Sequence, residues 1–114
     1  VILRSDRLTP WEVIETRLAC AARGDFALAL YNPSSKGRPD YLQKAVRVLL
    51  ANGKTPETVC GIVRNIGREG QEKRVLTLAE LEKTQVDMFT TVFIGNAATR
   101  ELAGRMVTPR GYKR

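Results

Sequence analysis

Phe26-Ala27-Leu28-Ala29-Leu30-Tyr31 is the stretch that most constrains this chain: six consecutive apolar residues with no polar alternation. The run is short, ends in breakers (Gly24 before it, Asn32-Pro33-Ser34-Ser35 after it) and has no polar face. That pattern predicts a strand buried on both sides, and therefore a sheet covered by helices.

The flanking sequence supplies the helices. Thr9-Pro10-Trp11-Glu12 reads as a capping box, with Thr9 as N-cap and Pro10 at the first helical position. Val13, Ile14, Leu18, Ala21 and Ala22 follow at helical spacing, and Gly24 ends the segment. Asp40 is placed to cap a second helix with Leu42, Ala45, Val46, Leu49 and Leu50 inward, closed by Asn52-Gly53. Further strands are expected at Val1–Asp6, Thr58–Arg64, Lys73–Leu78 and Thr91–Ile94. The third and fourth of the five strands form a hairpin around residues 65–71, with the fourth at an edge. Thr77-Leu78-Ala79-Glu80 repeats the capping-box pattern and opens a short helix. Another short helix is expected around Ala98–Ala103, and an extended piece in the tail from Met106. Five strands interleaved with helices make an α/β protein with a mixed sheet.

Composition removes several chemistries. The 114 residues contain no histidine, so neither a Ser/His/Asp triad nor a His-ligated metal can be built from this chain. Cys20 and Cys60 stand 40 residues apart, which excludes a Cys-based zinc site and suits a reducing, cytoplasmic setting. Both thiols read as packed residues, Cys20 on the apolar side of the first helix. No run approaches the ~18 apolar residues of a membrane span, and no signal peptide is recognisable. The absent initiator methionine suggests a piece of something longer. The formal net charge is +7, and 13 of the 19 basic residues are arginine. Residues 36–54 and 100–114 each carry an excess of four positive charges. Nucleic acid, an anionic cofactor or a polycarboxylate substrate would suit that balance, although the few aromatics offer little stacking surface for nucleic acid.

Two strand exits stand out as candidate sites: Tyr31-Asn32-Pro33-Ser34-Ser35 and Arg64-Asn65-Ile66-Gly67-Arg68-Glu69-Gly70. Ligands of α/β sheets bind beyond strand ends, although Asn-Pro and Gly-x-x-Gly also serve as plain turn chemistry. The second loop lacks the Gly-Lys-Ser/Thr ending of a phosphate-binding P-loop.

The residues then resemble a known family. Ser5-Asp6-x-Leu8-Thr9-Pro10-Trp11-Glu12-Val13-Ile14-Glu15, Ala29-Leu30-Tyr31-Asn32-Pro33-Ser34-Ser35, Gly61-Ile62-Val63-Arg64-Asn65-Ile66-Gly67-Arg68-Glu69-Gly70, Val86-Asp87-Met88-x-Thr90-Thr91-Val92-Phe93-Ile94-Gly95-Asn96 and Gly104-Arg105-Met106-Val107-Thr108-Pro109-Arg110-Gly111-Tyr112 are similar to the precorrin-3B C(17)-methyltransferase family of the tetrapyrrole methylase superfamily. The resemblance implies methyl transfer from S-adenosylmethionine to carbon 17 of a precorrin-3B or cobalt-factor III type tetrapyrrole, with ring contraction, in cobalamin biosynthesis. It implies that residues 1–114 form the second, C-terminal domain, whose sheet is mixed and five-stranded, with the N-terminal domain absent and the chain inactive alone. It places the cofactor near Asn32 (Met in many relatives), Asn65, Ile66, Gly67, Thr91 and Val92. Arg64, Arg68 and Arg105 become candidates for orienting substrate carboxylates. No catalytic side chain or metal ligand is implied. The expected partners are the tetrapyrrole, the missing N-terminal domain and a second copy in a homodimer, with no nucleic acid and no membrane. The alternatives are a small basic nucleic-acid-binding module and a tetrapyrrole methylase with another substrate.

Overall fold

The computed structural model describes residues 2–4, 10–31, 40–65, 69–86, 89–102 and 105–107. In chain order the elements are β1 (Ile2–Arg4), α1 (Trp11–Arg23), β2 (Leu28–Tyr31), α2 (Tyr41–Ala51), β3 (Val59–Arg64), β4 (Glu72–Thr77), α3 (Leu78–Glu82), β5 (Thr90–Ile94), β6 (Arg100–Leu102) and β7 (Arg105–Val107). The first five strands in sequence form one mixed sheet in the order β1-β2-β5-β3-β4. Only the β1–β2 pair is parallel. β6 and β7 form a separate antiparallel hairpin.

Side-chain alternation sorts this sheet into two unlike faces. Leu28 and Leu30 of β2, Cys60 of β3, Leu76 of β4, and Val92 and Ile94 of β5 face the helices and are buried. Against them pack Ile14, Leu18, Ala21 and Ala22 of α1, Leu42, Ala45, Val46 and Leu49 of α2, and Leu78 and Leu81 of α3. Each fully buried Leu or Ile contributes about 1.5–3 kcal/mol, which makes this layer the stabilising core. Trp11 and Tyr41 join the two long helices at their N-terminal ends, edge to face with ring centroids 5.8 Å apart. The Lys44 ammonium lies 5.5 Å from the Trp11 ring centroid.

Among the described residues, helices cover only that one face. The apolar strand β2 is buried on both faces as expected. On the other face, Tyr31, Val63 and Phe93 are half-buried, and Ala29, Gly61 and Thr91 are buried. The β7 residue Met106 approaches there: a Cβ added to Gly61 would stand 3.4 Å from its sulfur. The unbroken apolar run is thus buried without a second helical layer among the described residues.

Several local expectations shift. α1 starts at Trp11, with Pro10 as its extended N-cap (ψ 148°) and no side-chain capping bond; Thr9 lies outside the described residues. Pro10 acts through its carbonyl, which accepts the first helical N–H bonds from Val13 and Ile14. Gly24 caps α1 as expected, yet it keeps a right-handed φ of −82° and the left-handed residue is Asp25 (φ 56°). Asp40 occupies the N-cap of α2 without bonding its backbone through its side chain. Its carboxylate instead pairs with Lys44 at 3.6 Å. β2 begins at Leu28, and Phe26 is 57% exposed. Cys20 is also exposed, because the inward stripe runs through Ile14, Leu18, Ala21 and Ala22 and leaves position 20 on the far side of the helix. The helix expected at Ala98–Ala103 is replaced by a turn followed by β6. Asn96 and Thr99 side chains capture the backbone there: Oδ1 of Asn96 accepts from Ala98 N–H at 2.9 Å and Oγ1 of Thr99 accepts from Asn96 N–H at 3.0 Å. Such local bonds outcompete a helix.

The capping box of α3 forms in full. Thr77 accepts from Glu80 N–H at 3.2 Å, and the Glu80 carboxylate accepts from Thr77 N–H at 2.9 Å.

Candidate functional site

The register brings the candidate residues to one end of the sheet. β1, β2 and β3 all leave the sheet at that end, at Arg4, Tyr31 and Arg64, while the antiparallel β5 enters there at Thr90. Three cross-sheet rows result. Tyr31, Thr91 and Val63 are register partners on the face away from the helices; Leu30, Val92 and Ile62 are partners on the helical face. Thr90, Arg64 and Glu72 make the terminal row on the helical side.

Of the candidate cofactor residues, Asn65, Thr91 and Val92 therefore meet at one end. Asn65 holds a left-handed conformation (φ 57°), which turns the chain sharply out of β3. Its N–H donates to the Phe89 carbonyl at 3.1 Å, tying the β3 exit to the β5 entry. Thr91 is 6% exposed; Val92 is fully buried in the core. The two neighbours point to opposite faces of the sheet. Asn32, Ile66, Gly67 and Arg68 lie outside the described residues. Arg105 lies in β7, whose next residue, Met106, approaches Gly61 of β3.

Beside Arg64 is a groove of about 240 Å³ that the sequence reading did not anticipate. Ile62 and Val86 give it an apolar floor, and Arg64, Glu72, Lys73 and Arg74 line its β-sheet side. Thr84 and Gln85, following α3, close the other side, held near α2 by the Gln43 side-chain amide donating to the Thr84 carbonyl at 3.1 Å. Arg64 pairs with Glu72 at 3.6 Å, with both side chains substantially exposed. The signal in the sequence was the hairpin register. Once Cys60 faces Leu76, Ile62 must face Arg74 and Arg64 must face Glu72.

The opposite end of the sheet carries a polar lock. Lys54 is 6% exposed, and its ammonium donates to the Gly95 carbonyl at 2.8 Å. Burial lowers the Lys54 pKa, against the opposing pull of Asp25 and Cys60. Burial also pushes the Cys60 thiol up to about 12, which keeps it protonated and unreactive. The Asp25 carboxylate accepts from Ala97 N–H at 2.9 Å, so the left-handed turn after α1 holds the loop after β5. No group of three or more metal-ligating side chains occurs among the described residues, and no described helix is long and apolar enough to cross a membrane.

No protein-family model matches the chain. Individual relatives do. A probable cobalt-factor III C(17)-methyltransferase of Salmonella typhimurium is 44% identical over 108 residues, covering 95% of this chain and 44% of that protein. Its namesake in Methanocaldococcus jannaschii is 41% identical over 118 residues, covering 98% and 47%. The crystal structure of the methyltransferase CobJ superposes with a TM-score of 0.84 at 37% identity, over 96% of this chain and 46% of that one. The chain thus spans about half the length of the relatives it matches, and the five-stranded mixed sheet is part of their fold.

Proposed function

We propose, from the premise that this chain is homologous to part of the cobalt-factor III C(17)-methyltransferases, that it forms the C-terminal half of such an enzyme. The reaction would transfer a methyl group from S-adenosylmethionine to carbon 17 of a precorrin-3B or cobalt-factor III type tetrapyrrole, with ring contraction. The observation that carries the reading is 44% identity sustained over 95% of the chain. The convergence of Asn65 and Thr91 at one strand end supports it.

The residues suit the two ligands by charge. Tyr31, Thr91 and Val63 form an uncharged row on the face away from the helices, compatible with a cofactor whose sulfur is cationic. The helical side of the same end carries Arg64 and Arg74, compatible with an acidic substrate. When bound, S-adenosylmethionine would supply an electrophilic methyl group carried on a sulfonium, with a neutral thioether as the leaving group. Such a displacement needs alignment more than proton transfer, so the absence of histidine is no obstacle. In this reading Asn65 and Thr91 line the cofactor with Asn32, Ile66 and Gly67, Val92 fixes the strand beneath them, and Arg64, Arg68 and Arg105 orient the macrocycle. The partner half and a second copy complete the assembly.

Labelled-methyl transfer from S-adenosylmethionine to cobalt-factor III, assayed with the full-length protein, tests the proposal. Labelled product is expected; its absence, with the protein folded, overturns the assignment.

A further inference from the structure

We propose that the groove between β4 and the segment following α3 is a subsite for a single carboxylate arm of the substrate, gripped by Arg74 and by Arg64. The identity of the acid rests on the methyltransferase reading; the chemistry of the groove does not.

Size, lining and register agree. At about 240 Å³ the groove falls below the ~300–1,000 Å³ that encloses a whole small-molecule ligand. A macrocycle cannot enter, whereas an acetate or propionate arm can. Ile62 and Val86 offer an apolar bed for the methylenes of such an arm. Arg64, Lys73 and Arg74 against Glu72 leave two surplus positive charges for its head. Arg74 stands two register pairs inward from Arg64, opposite Ile62 on the same face, which makes the two arginines diagonal neighbours, about 7–8 Å apart and within reach of long side chains. Among the described residues Arg74 makes no salt bridge. The Arg64–Glu72 pair is long, at 3.6 Å, and exposed; an ion pair of that kind exchanges readily for a better-placed carboxylate. Glu72 then acts as a placeholder that competes with the substrate arm.

An inward-pointing charge on β4 could serve only to protect the edge of the sheet from pairing with other chains. Binding of uroporphyrin III, which bears eight carboxylates, and of its octamethyl ester to the full chain separates the two roles by fluorescence quenching. The acid is expected to bind and the ester not. Arg74→Ala should weaken acid binding about tenfold, whereas Glu72→Gln should strengthen it about two- to fivefold by removing the carboxylate that competes for Arg64. Equal binding of acid and ester, no binding of the acid, or unchanged affinity in both variants overturns the subsite. Displacement of the acid by a short single-stranded RNA with the same Arg74 dependence also overturns it, in favour of phosphate recognition. Methyl transfer measured in parallel keeps the two proposals apart. Acid binding that responds to Arg74 and Glu72 without methyl transfer removes the reaction and keeps the subsite. Methyl transfer with Arg74-independent acid binding does the reverse.

Discussion

Lys54 and Cys60 show how burial acts on single groups. Lys54 places a charge in a nearly closed site, where the Gly95 carbonyl is its hydrogen-bond acceptor. Lys54→Met would leave that carbonyl unsatisfied and is expected to cost about 1–3 kcal/mol, measured by urea denaturation. Their effects on the pH profile have opposite signs. The Lys54 pKa is depressed on folding, so the unfolded chain binds more protons and this residue makes stability rise with pH until its unfolded value is passed. The Cys60 pKa is raised from 9.0 to about 12. Between those values the folded chain holds the extra proton, and stability falls as pH rises. Cys60→Ala should lower stability at pH 8 through lost packing, yet remove a slope of about 1.4 kcal/mol per pH unit above pH 9. Paired denaturation curves at pH 8 and 10 read that difference. Asn65 is the third telling residue. Its left-handed φ is tolerated by Asn or Gly, and Asn65→Val should cost about 1–2 kcal/mol in a thermal melt while Asn65→Gly does not.

Elements formed where local chemistry and packing agreed. α3 has only five residues, and its two reciprocal capping bonds fix its start beside β4. Thr77→Ala is expected to lower stability by about 1 kcal/mol, read as a shift in the urea midpoint. The Glu80 carboxyl is held below its usual pKa by Thr77, so its contribution is present at neutral pH and is lost on acidification. Where packing and local signals competed, packing or side-chain turns prevailed. The Ala98–Ala103 stretch looked helical by composition, but Asn96, Thr99 and Asp25 occupy the backbone donors after β5, and Arg100–Leu102 pairs instead with Arg105–Val107. Asp40 had the right type and place to cap α2, yet its carboxylate turns to Lys44.

At the scale of the whole molecule, the two ends of the sheet differ in their polar chemistry. Lys54, Asp25 and Gly95 bind the far end together, while the near end gathers strand exits, uncharged residues on one face and arginines on the other. The relatives are about twice as long as this chain, and among the described residues no helix packs on the face of the sheet that carries Tyr31, Thr91 and Val63. The 114-residue chain alone is therefore expected to bind S-adenosylmethionine weakly and to show no turnover. Isothermal titration of the isolated chain checks this, and micromolar affinity would contradict it.

The sequence by itself determined the class of fold, nearly every strand, the hairpin and the α3 cap, because apolar runs, breakers and capping pairs act within a few residues of one another. It also carried the family resemblance, whose motifs are local. Tertiary structure decided which face each strand presents, that the three described helices pack on the same side, that Cys20 turns outward, and that Thr91 and Val92 divide between two faces. It alone brought Thr84, Gln85 and Val86 up to the face that carries Arg64 and Arg74, and set Lys54 beneath Gly95. Those juxtapositions depend on strand register and order, through contacts between residues far apart in the chain that no local pattern encodes.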